Sequence, residues 1–216
     1  MTEGPAQIAG ETSRFPQTPS TGPLRGRELQ AAAGGRGFTL WFTGLSGAGK
    51  TTIAELVGPE LERHGYTVEY LDGDVVRTHL SKGLGFSKAD RDTNIERIGW
   101  VASRLTRHDA AVLVSAISPY EETRAKAREL VEEFGPFIEV HVATSVEECA
   151  RRDVKGLYAR AFAGELKEFT GVSDPYEEPV DPELRIDTEL HAPEESARLV
   201  IGKLAELGLV SEEIAA

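Results

Sequence analysis

The sequence of 216 residues has little cysteine, few aromatic residues and no long apolar run. Its one cysteine, Cys149, excludes an intrachain disulfide, and its place in SVEECARRD predicts a buried helical thiol rather than a nucleophile. No apolar segment opens the chain, and no run approaches the roughly 18 apolar residues of a membrane-spanning helix. We therefore expect neither secretion nor a membrane span, and the expected compartment is the cytoplasm.

Positive charge is also scarce, because 24 lysine and arginine residues stand against 36 aspartate and glutamate residues. The formal net charge of −12 argues against a nucleic-acid or anionic-membrane surface, since such partners need clustered basic residues. A small anionic substrate would therefore need a local basic patch. The five histidines are scattered without metal-ligand spacing, so no zinc site is predicted.

The pattern along the chain separates a tail from one domain. Residues 1–35 are rich in Pro, Gly, Thr, Ser and Ala without a hydrophobic period, which predicts a flexible N-terminal tail or linker. Residues 36–216 alternate strand and helix signals, which predicts an α/β domain with a parallel sheet covered by helices on both faces. The predicted strands are 38–42, 67–71, 111–116, 137–142 and 184–186, and the predicted helices are 50–64, 90–107, 121–134, a short one ending near 152, and 193–207.

A glycine-rich loop follows the first predicted strand, in the stretch FTLWFTGLSGAGKTT. Gly44, Gly49, Lys50 and Thr51 match the pattern G-x-x-x-x-G-K-[ST] between a strand and a helix, which predicts a P-loop NTPase fold that binds ATP. Glycines let backbone amides turn inward onto an anion, Lys50 would reach the β- and γ-phosphates, and the Thr51 hydroxyl would hold Mg²⁺. The alternative is an ordinary glycine-rich turn. The expected ATP-binding residues of the loop are Gly44, Leu45, Ser46, Gly47, Ala48, Gly49, Lys50, Thr51 and Thr52.

Two carboxylates follow the second predicted strand, in the stretch DGDVVR. We expect Asp72 and Asp74 close to the P-loop across neighbouring strands, where they could hold Mg²⁺ through water and accept a proton from an attacking hydroxyl. The alternative is an Asp-Gly turn that caps the next helix. After the strand AAVLVSA, Ser115 and Ser118 stand where many P-loop proteins carry a metal-binding aspartate. The acidic role therefore falls to the aspartate pair, which favours a small-molecule kinase over a motor or GTPase.

Residues 151–176 concentrate basic side chains in an otherwise acidic protein. The segment has a weak hydrophobic period and two spaced glycines, Gly156 and Gly164, which predicts a lid that closes over phosphates and excludes water. The alternative is a solvated, charged helical excursion. The D-x-x-G at residues 153–156 follows a helix and no N-K-x-D signature occurs, so the pattern does not predict a GTPase.

Taken together, the motifs resemble those of adenylyl-sulfate kinases. The stretches GLSGAGKTT, DGDVVR, GLGFSKADRDTNIERIG, ISPY, RRDVKGLY and EFTGVSDPYEEP occur in the order and approximate spacing of that family, from about residue 37 to residue 207. The resemblance implies transfer of the ATP γ-phosphate to the 3′-hydroxyl of adenylyl sulfate (adenosine 5′-phosphosulfate, APS), which gives the activated sulfate donor. It also implies a homodimer, and it leaves open an association with a sulfate adenylyltransferase.

The resemblance implies roles for individual residues as well. Lys50 and Asp74 would be catalytic, with Asp74 as the base at the 3′-hydroxyl and, together with Thr51, a metal partner. Ser118 matches a serine considered a phosphoryl acceptor in some members, although direct in-line transfer is simpler. The expected substrate-binding residues are Asp72, Asp74, Arg77, Phe86, Arg91, Asn94, Ile117, Ser118, Lys155 and Phe169, and Thr188 and His191 are expected near the ATP base.

The aromatic residues allow two interpretations. Phe86 and Phe169 would sandwich the substrate adenine in the family, yet each could be a plain core residue. Trp41 and Trp100 are most simply interpreted as core.

The arginines also allow two interpretations. Arg77 and Arg91 would pair with the phosphosulfate through planar guanidinium donors, or they could be solvated helix residues paired with Asp90 and Asp92. One position departs from the family, because many members have asparagine where this chain has Val75.

Two other functions remain alternatives at this stage. Shikimate, gluconate and nucleotide kinases share the P-loop pattern, although the lid motif and GLGFSKADRDTN argue against them. A nucleotide-sensing domain without turnover would bind nucleotide tightly, although Lys50, Thr51 and Asp74 are all present.

Overall fold

A computed structural model describes residues 37–215, so the predicted tail of residues 1–35 lies outside the described residues. Within that range the chain forms five strands and eight helices. The strands are β1 (Phe38–Thr43), β2 (Thr67–Asp72), β3 (Ala110–Ser115), β4 (Phe137–Val142) and β5 (Leu184–Ile186). The helices are α1 (Lys50–Arg63), α2 (Gly73–His79), α3 (Lys88–Arg107), α4 (Glu121–Glu132), α5 (Val146–Arg152), α6 (Leu157–Phe162), α7 (Pro193–Glu206) and α8 (Glu212–Ala215).

The strands form one parallel sheet in the order β2-β3-β1-β4-β5. This arrangement confirms the predicted α/β fold. Phe42 of β1 and Asp72 of β2 are both in register with Ser115 of β3, so three strands end at the same level. The carboxyl ends of these strands form the edge where ligands of open α/β sheets bind.

Two buried clusters fix the layers. On one face, α1 packs against the sheet and α7 packs against α1 and β5. The buried side chains include Ile53, Val57, Val200 and Leu204, which are essentially inaccessible to solvent. On the other face, α3 packs against β3, and α4 packs against α3 and β4. The core residues of this face include Trp41, Ile95, Ile98, Ala102, Ala127 and Val131. Burial of this apolar area, at about 25 cal/mol per Å², is the main force that holds helices on the sheet.

One core prediction was wrong. Trp41 is fully buried, as predicted, but Trp100 is 57% exposed. In α3 the core-facing positions include Ile98 and Ala102, and a residue two positions after Ile98 points to the opposite side of a 3.6-residue helix. Trp100 instead lies beside the Arg104 guanidinium, 5.8 Å from the ring centroid. Within residues 37–215, no helix is both long and apolar enough to cross a bilayer.

Local capping explains two boundaries that the sequence pattern missed. The helix predicted from residue 90 begins at Lys88, because the Ser87 side chain accepts the backbone N–H of Asp90. The short helix α2 was not predicted as an element, and Asp72 caps it by accepting the N–H groups of Asp74 and Val75. The Asp-Gly capping alternative therefore holds for the Asp72 side chain.

Candidate active site

The P-loop connects β1 to α1 through three glycines with positive φ. Gly44, Gly47 and Gly49 have φ values of 145°, 77° and 108°, conformations that side chains disfavour. A Cβ on Gly44 would also come within 2.4 Å of the Val142 carbonyl oxygen. These glycines therefore allow the loop to curl at the start of α1, where backbone N–H groups and the helix dipole favour an anion.

Side chains from distant elements hold the carbonyl groups of this loop. The hydroxyls of Thr144 and Thr188 both donate to the Ala48 carbonyl, at 3.0 and 3.1 Å. The Tyr158 hydroxyl donates to the Ser46 carbonyl at 3.0 Å, and Arg152 donates to Thr188. The sequence prediction missed Arg152, Tyr158 and Thr144 as contacts of the loop. The first two belong to the stretch RRDVKGLY, which was the available signal.

Lys50 is buried at the first turn of α1. Its ammonium group donates to the carbonyl oxygens of Gly44 and Leu45, at 2.9 and 2.8 Å. Burial lowers the pKa of Lys50 to about 8, with smaller opposing effects from Asp72 and Asp74. The ammonium group is thus folded back on the loop, next to the position that a phosphate on the loop amides would take.

Asp72, rather than Asp74, contacts the P-loop helix. The Thr51 hydroxyl donates to Asp72 Oδ2 at 2.9 Å. The expected proximity holds, but β2 is not a neighbour of β1, because β3 lies between them. The contact therefore bridges the end of β3, where a small serine stands in place of an acidic residue.

Asp74 faces the lid segment. The Lys155 ammonium pairs with Asp74 Oδ2, and both side chains are mostly exposed. Lys155 follows α5, so this contact joins the second strand's carboxylates to residues 151–176. The structure thus brings Lys50, Thr51, Asp72, Asp74 and Lys155 to one edge of the sheet.

Arg77 and Phe86 lie together beyond Asp74. The Arg77 guanidinium stands 4.7 Å from the Phe86 ring centroid and donates to the Gly85 carbonyl at 2.8 Å. Burial and the nearby Arg91 lower the pKa of Arg77. Phe86 is 63% exposed, so the core interpretation of this residue was wrong. Most of its ring is therefore accessible to a ligand.

Arg91 is buried and fully engaged with the protein. It donates to the carbonyls of Phe86 and Glu168, to the Thr170 hydroxyl, and to Asp174 Oδ2 at 3.0 Å. Its carboxylate partner is therefore neither of the two adjacent aspartates, and the solvated-helix interpretation of Arg91 was wrong. Arg91 ties the Phe86 loop to the end of the lid segment.

Asn94 lies one turn further along α3. Its side chain is 3% exposed, and its Oδ1 has no hydrogen-bond partner among the described residues. An unpaired buried carbonyl oxygen costs about 1–3 kcal/mol, so a partner at this position would be favourable. The orphaned oxygen is the kind of feature that a bound ligand satisfies.

Ile117 and Ser118 form a turn after β3. The Ile117 carbonyl accepts the Thr43 hydroxyl at 2.7 Å, and Ser118 Oγ accepts the Trp41 indole N–H at 3.1 Å. Ser118 is 1% exposed and has a φ of 47°, which is unusual for a residue with a side chain. The buried hydroxyl is therefore poorly placed to meet a phosphoryl group.

The remaining predicted residues lie at the margins of this site. Phe169 is half-buried and meets the Tyr158 ring edge-on, with centroids 5.0 Å apart. His191 lies just before α7, with Nδ1 3.2 Å from Glu195. Cys149 is buried in α5, as predicted.

A distant structural relative shares the fold of this chain. A gluconokinase from Sinorhizobium meliloti superposes with a TM-score of 0.51 at 21% identity, over 80% of this chain and 93% of that chain. This likeness shows the fold alone. Together with the P-loop and its lysine and threonine, it shows that this chain has the fold of a P-loop protein.

Closer comparisons define the family. The family model of adenylylsulphate kinase matches residues 36–187, so the chain belongs to the adenylyl-sulfate kinase family. An adenylyl-sulfate kinase of a Picosynechococcus strain is 56% identical over 176 residues, which cover 82% of this chain and 98% of that protein. A Mycobacterium tuberculosis APS kinase, solved in complex with AMPPNP and APS, has a TM-score of 0.76 and 46% identity over 79% of this chain and 98% of that chain.

The family assignment confirms the expected resemblance and activity. This chain is an ATP-dependent kinase of the hydroxyl of adenylyl sulfate, and the reading as a shikimate, gluconate or nucleotide kinase is not supported. A hexameric APS kinase from Thiobacillus denitrificans is 39% identical, and this chain covers 32% of that longer chain.

Proposed function

We propose the following roles for the residues of this site in the transfer of the ATP γ-phosphate to the 3′-hydroxyl of adenylyl sulfate. One observation carries the proposal: Lys50 and Thr51 of the P-loop lie beside Asp72, and Asp74 reaches the lid through Lys155. Phosphoryl transfer needs positioning and charge neutralisation more than covalent chemistry. The cluster has one set of groups for the phosphates and another for the acceptor.

The P-loop residues would bind the nucleotide. Residues 44–52 would direct amides at the phosphates, and Lys50 would move from the loop carbonyls to the β- and γ-phosphate oxygens. Thr188 would lie near the ATP base, since it contacts Ala48 of the loop, and His191 would lie further from the loop.

Mg²⁺ fits the oxygen donors at the start of α1. The Thr51 hydroxyl and the Asp72 carboxylate, 2.9 Å apart, supply hard oxygen ligands of the kind Mg²⁺ prefers, with water for the rest. When bound, the ion would neutralise phosphate charge. Asp74 would contribute through water, whereas Asp72 takes the nearer position.

Asp74 would act as the base at the 3′-hydroxyl. It is exposed, and Lys155 already pairs with it, so binding of the acceptor would insert a hydroxyl between a carboxylate and an ammonium group. The carboxylate would accept the proton, and Lys155 would then be available to a phosphate or sulfate oxygen. The lid segment would exclude water from the transfer.

The remaining groups would bind the sulfated nucleoside. Phe86 supplies an exposed ring for the adenine, with Phe169 as the opposite wall. Arg77 supplies guanidinium donors for the phosphosulfate, and Asn94 supplies an unpaired amide oxygen. Arg91 would act on the same pocket mainly by holding Phe86, unless substrate binding releases its contacts.

Burial favours a positioning role for Ser118 over covalent catalysis. Its Oγ accepts the Trp41 N–H and is shielded from solvent, so direct transfer from ATP to the nucleoside needs no phosphoserine. The Ile117 and Ser118 backbone would line the substrate pocket. We further propose a cytoplasmic homodimer, which the family resemblance supports, and an association with a sulfate adenylyltransferase as the natural source of adenylyl sulfate.

A coupled ADP-release assay tests the proposal. With ATP and Mg²⁺, adenylyl sulfate should stimulate ADP release, whereas shikimate, gluconate and nucleosides should not. Lys50→Ala should abolish the stimulation, because the phosphate-neutralising charge is lost. Absence of stimulation by adenylyl sulfate in the unmodified protein would refute the function, and tight nucleotide binding without turnover would indicate a sensing domain.

A further inference from the structure

The Ile117–Ser118 turn is held in a strained conformation from several directions. A non-glycine residue with positive φ costs about 1–3 kcal/mol and persists only where its surroundings hold it. Ser118 has a φ of 47°, and its carbonyl accepts Arg124 Nη1–H at 2.7 Å. Thr43 and Trp41 contact the other side of the turn. Arg124 is the one charged donor among these contacts.

Arg124 is a buried charge that the proposed chemistry does not use. It lies in the first turn of α4 and is 1% exposed. Its Nε lies 2.8 Å from Glu139 Oε1 in β4, which makes an ion pair in which the Nε–H is not aligned for a hydrogen bond. Arg124 also forms an ion pair with Glu121. Burial raises the pKa of Glu139, while Arg124 opposes that rise.

Stability does not account for such a pair. Replacing a buried ion pair by apolar residues of similar size is often neutral or stabilising by about 1–4 kcal/mol, because desolvating two charges costs more than their attraction returns. The guanidinium, by contrast, is rigid and can direct one N–H group at a carbonyl while another meets a carboxylate. This geometry suits the fixing of a turn.

The same guanidinium also contacts the end of the lid segment. The Tyr176 ring stands 5.9 Å from the Arg124 guanidinium, and the Tyr176 hydroxyl lies 2.9 Å from the Thr43 hydroxyl. The Glu177 N–H donates to the Pro119 carbonyl at 2.8 Å. The turn after β3 and residues 176–177, at the end of the lid segment, are therefore held by shared contacts.

We propose that Arg124, oriented by Glu139, is a positioning residue that holds the Ile117–Ser118 turn in the shape that binds adenylyl sulfate. The inference depends on the proposed function, since the turn is assigned to the substrate pocket there. Arg124 is 1% exposed, so it would act without contacting substrate or nucleotide. It acts through the Ser118 carbonyl, so its loss should affect the acceptor substrate more than ATP.

The test compares two double substitutions, each of which removes an ion pair that involves α4. Arg124→Met with Glu139→Gln removes the charge on both sides and avoids an unpaired buried carboxylate. The control, Lys126→Met with Glu122→Gln, removes an ion pair of 3.0 Å on α4 that makes no hydrogen bond or ion pair to the turn or to Glu139. Each variant is assayed for the KM of adenylyl sulfate, the KM of ATP and kcat.

The expected result is selective. A displaced substrate group costs about tenfold or more, so kcat/KM for adenylyl sulfate should fall at least tenfold in the Arg124 pair, with the KM of ATP within about twofold. The control pair should change neither value by more than about twofold. Should the Arg124 pair fail to fold, Arg124→Lys, which keeps the charge but not the forked geometry, is judged by the same criterion.

Other outcomes would overturn the inference. Unchanged kinetics for adenylyl sulfate would remove Arg124 from substrate positioning, and an equal loss for both substrates, or in both paired variants, would assign it a structural role only. The activity of the unmodified protein distinguishes failure of this inference from failure of the proposed function. If the unmodified protein phosphorylates adenylyl sulfate, the function stands, and the inference is judged by the ratio of each variant's kinetic constants to the wild-type values.

Discussion

The ammonium group of Lys50 should make ATP binding depend on pH, because burial lowers its pKa to about 8 in the free protein. In the free state the group donates to the Gly44 and Leu45 carbonyls, which are weaker partners for a cation than phosphate oxygens. A bound triphosphate should keep Lys50 charged and raise its pKa well above that of the free state. Binding above pH 8 must therefore take up a proton.

The sign and size follow from this linkage. Because the complex holds the proton more tightly than the free protein, affinity is constant below the free pKa and falls as pH rises through it. One unit above a pKa of about 8, only about one molecule in eleven carries the charge, so the Kd should be about tenfold higher near pH 9 than near pH 7.

Titration calorimetry with Mg²⁺ and a non-hydrolysable ATP analogue measures this effect. The Kd should rise in this pH range, and the apparent enthalpy near pH 8.5 should depend on the buffer, since a proton is taken up. Lys50→Arg provides the control, because a guanidinium stays charged throughout and any binding it retains should be independent of pH. An equal Kd for the unmodified protein at both ends of the range would refute the buried-ammonium argument.

Three further predictions concern the acceptor side and the loop. Asp74→Asn should lower kcat by about 10²-fold or more while the Kd of ATP stays within about twofold, and unchanged turnover would remove Asp74 as the base. Phe86→Ala should raise the KM of adenylyl sulfate by about 5- to 100-fold through lost stacking, with little effect on thermal unfolding; Trp100→Ala, which removes another exposed ring, should leave the KM unchanged. Gly44→Ala should destabilise the protein by about 2 kcal/mol or more, because its Cβ would lie 2.4 Å from a backbone carbonyl oxygen. Gly65→Ala, which has open space around it, should cost about 1 kcal/mol. Equal melting temperatures of the two variants would contradict the steric argument.

The order of the strands along the chain and the identity of the loop were predictable because their signals are local. Short runs rich in apolar or β-branched residues, bounded by turn or cap residues, predict the strands. The spacing of Gly44, Gly49 and Lys50, between a strand signal and a helix signal, predicts an anion-binding loop. The helix α2 escaped prediction because its seven residues are too few to show a period, and only its aspartate cap indicated it.

The placement of the site residues was harder to predict, since it depends on contacts between distant parts of the chain. One interpretation of the sequence paired Arg91 with its neighbours on α3, yet its carboxylate partner in the structure is Asp174, near the end of the lid segment. Trp100 was assigned to the core on residue type, and the angular position on α3 placed it outside. Such errors arise because type and spacing do not specify which face of a helix meets the sheet.

The sequence by itself determined the class of chemistry through short motifs: a P-loop for a triphosphate, two aspartates in place of a metal-binding aspartate after β3, and the basic residues 151–176, which we propose as a lid. Tertiary structure decided which carboxylate serves which partner. Asp72 accepts a hydrogen bond from Thr51 across the end of β3, and Asp74 pairs with Lys155. Ser118 is buried and accepts a hydrogen bond from Trp41. The physical reason is that a parallel sheet gathers the ends of strands far apart in sequence, and only the strand order determines which of them become neighbours.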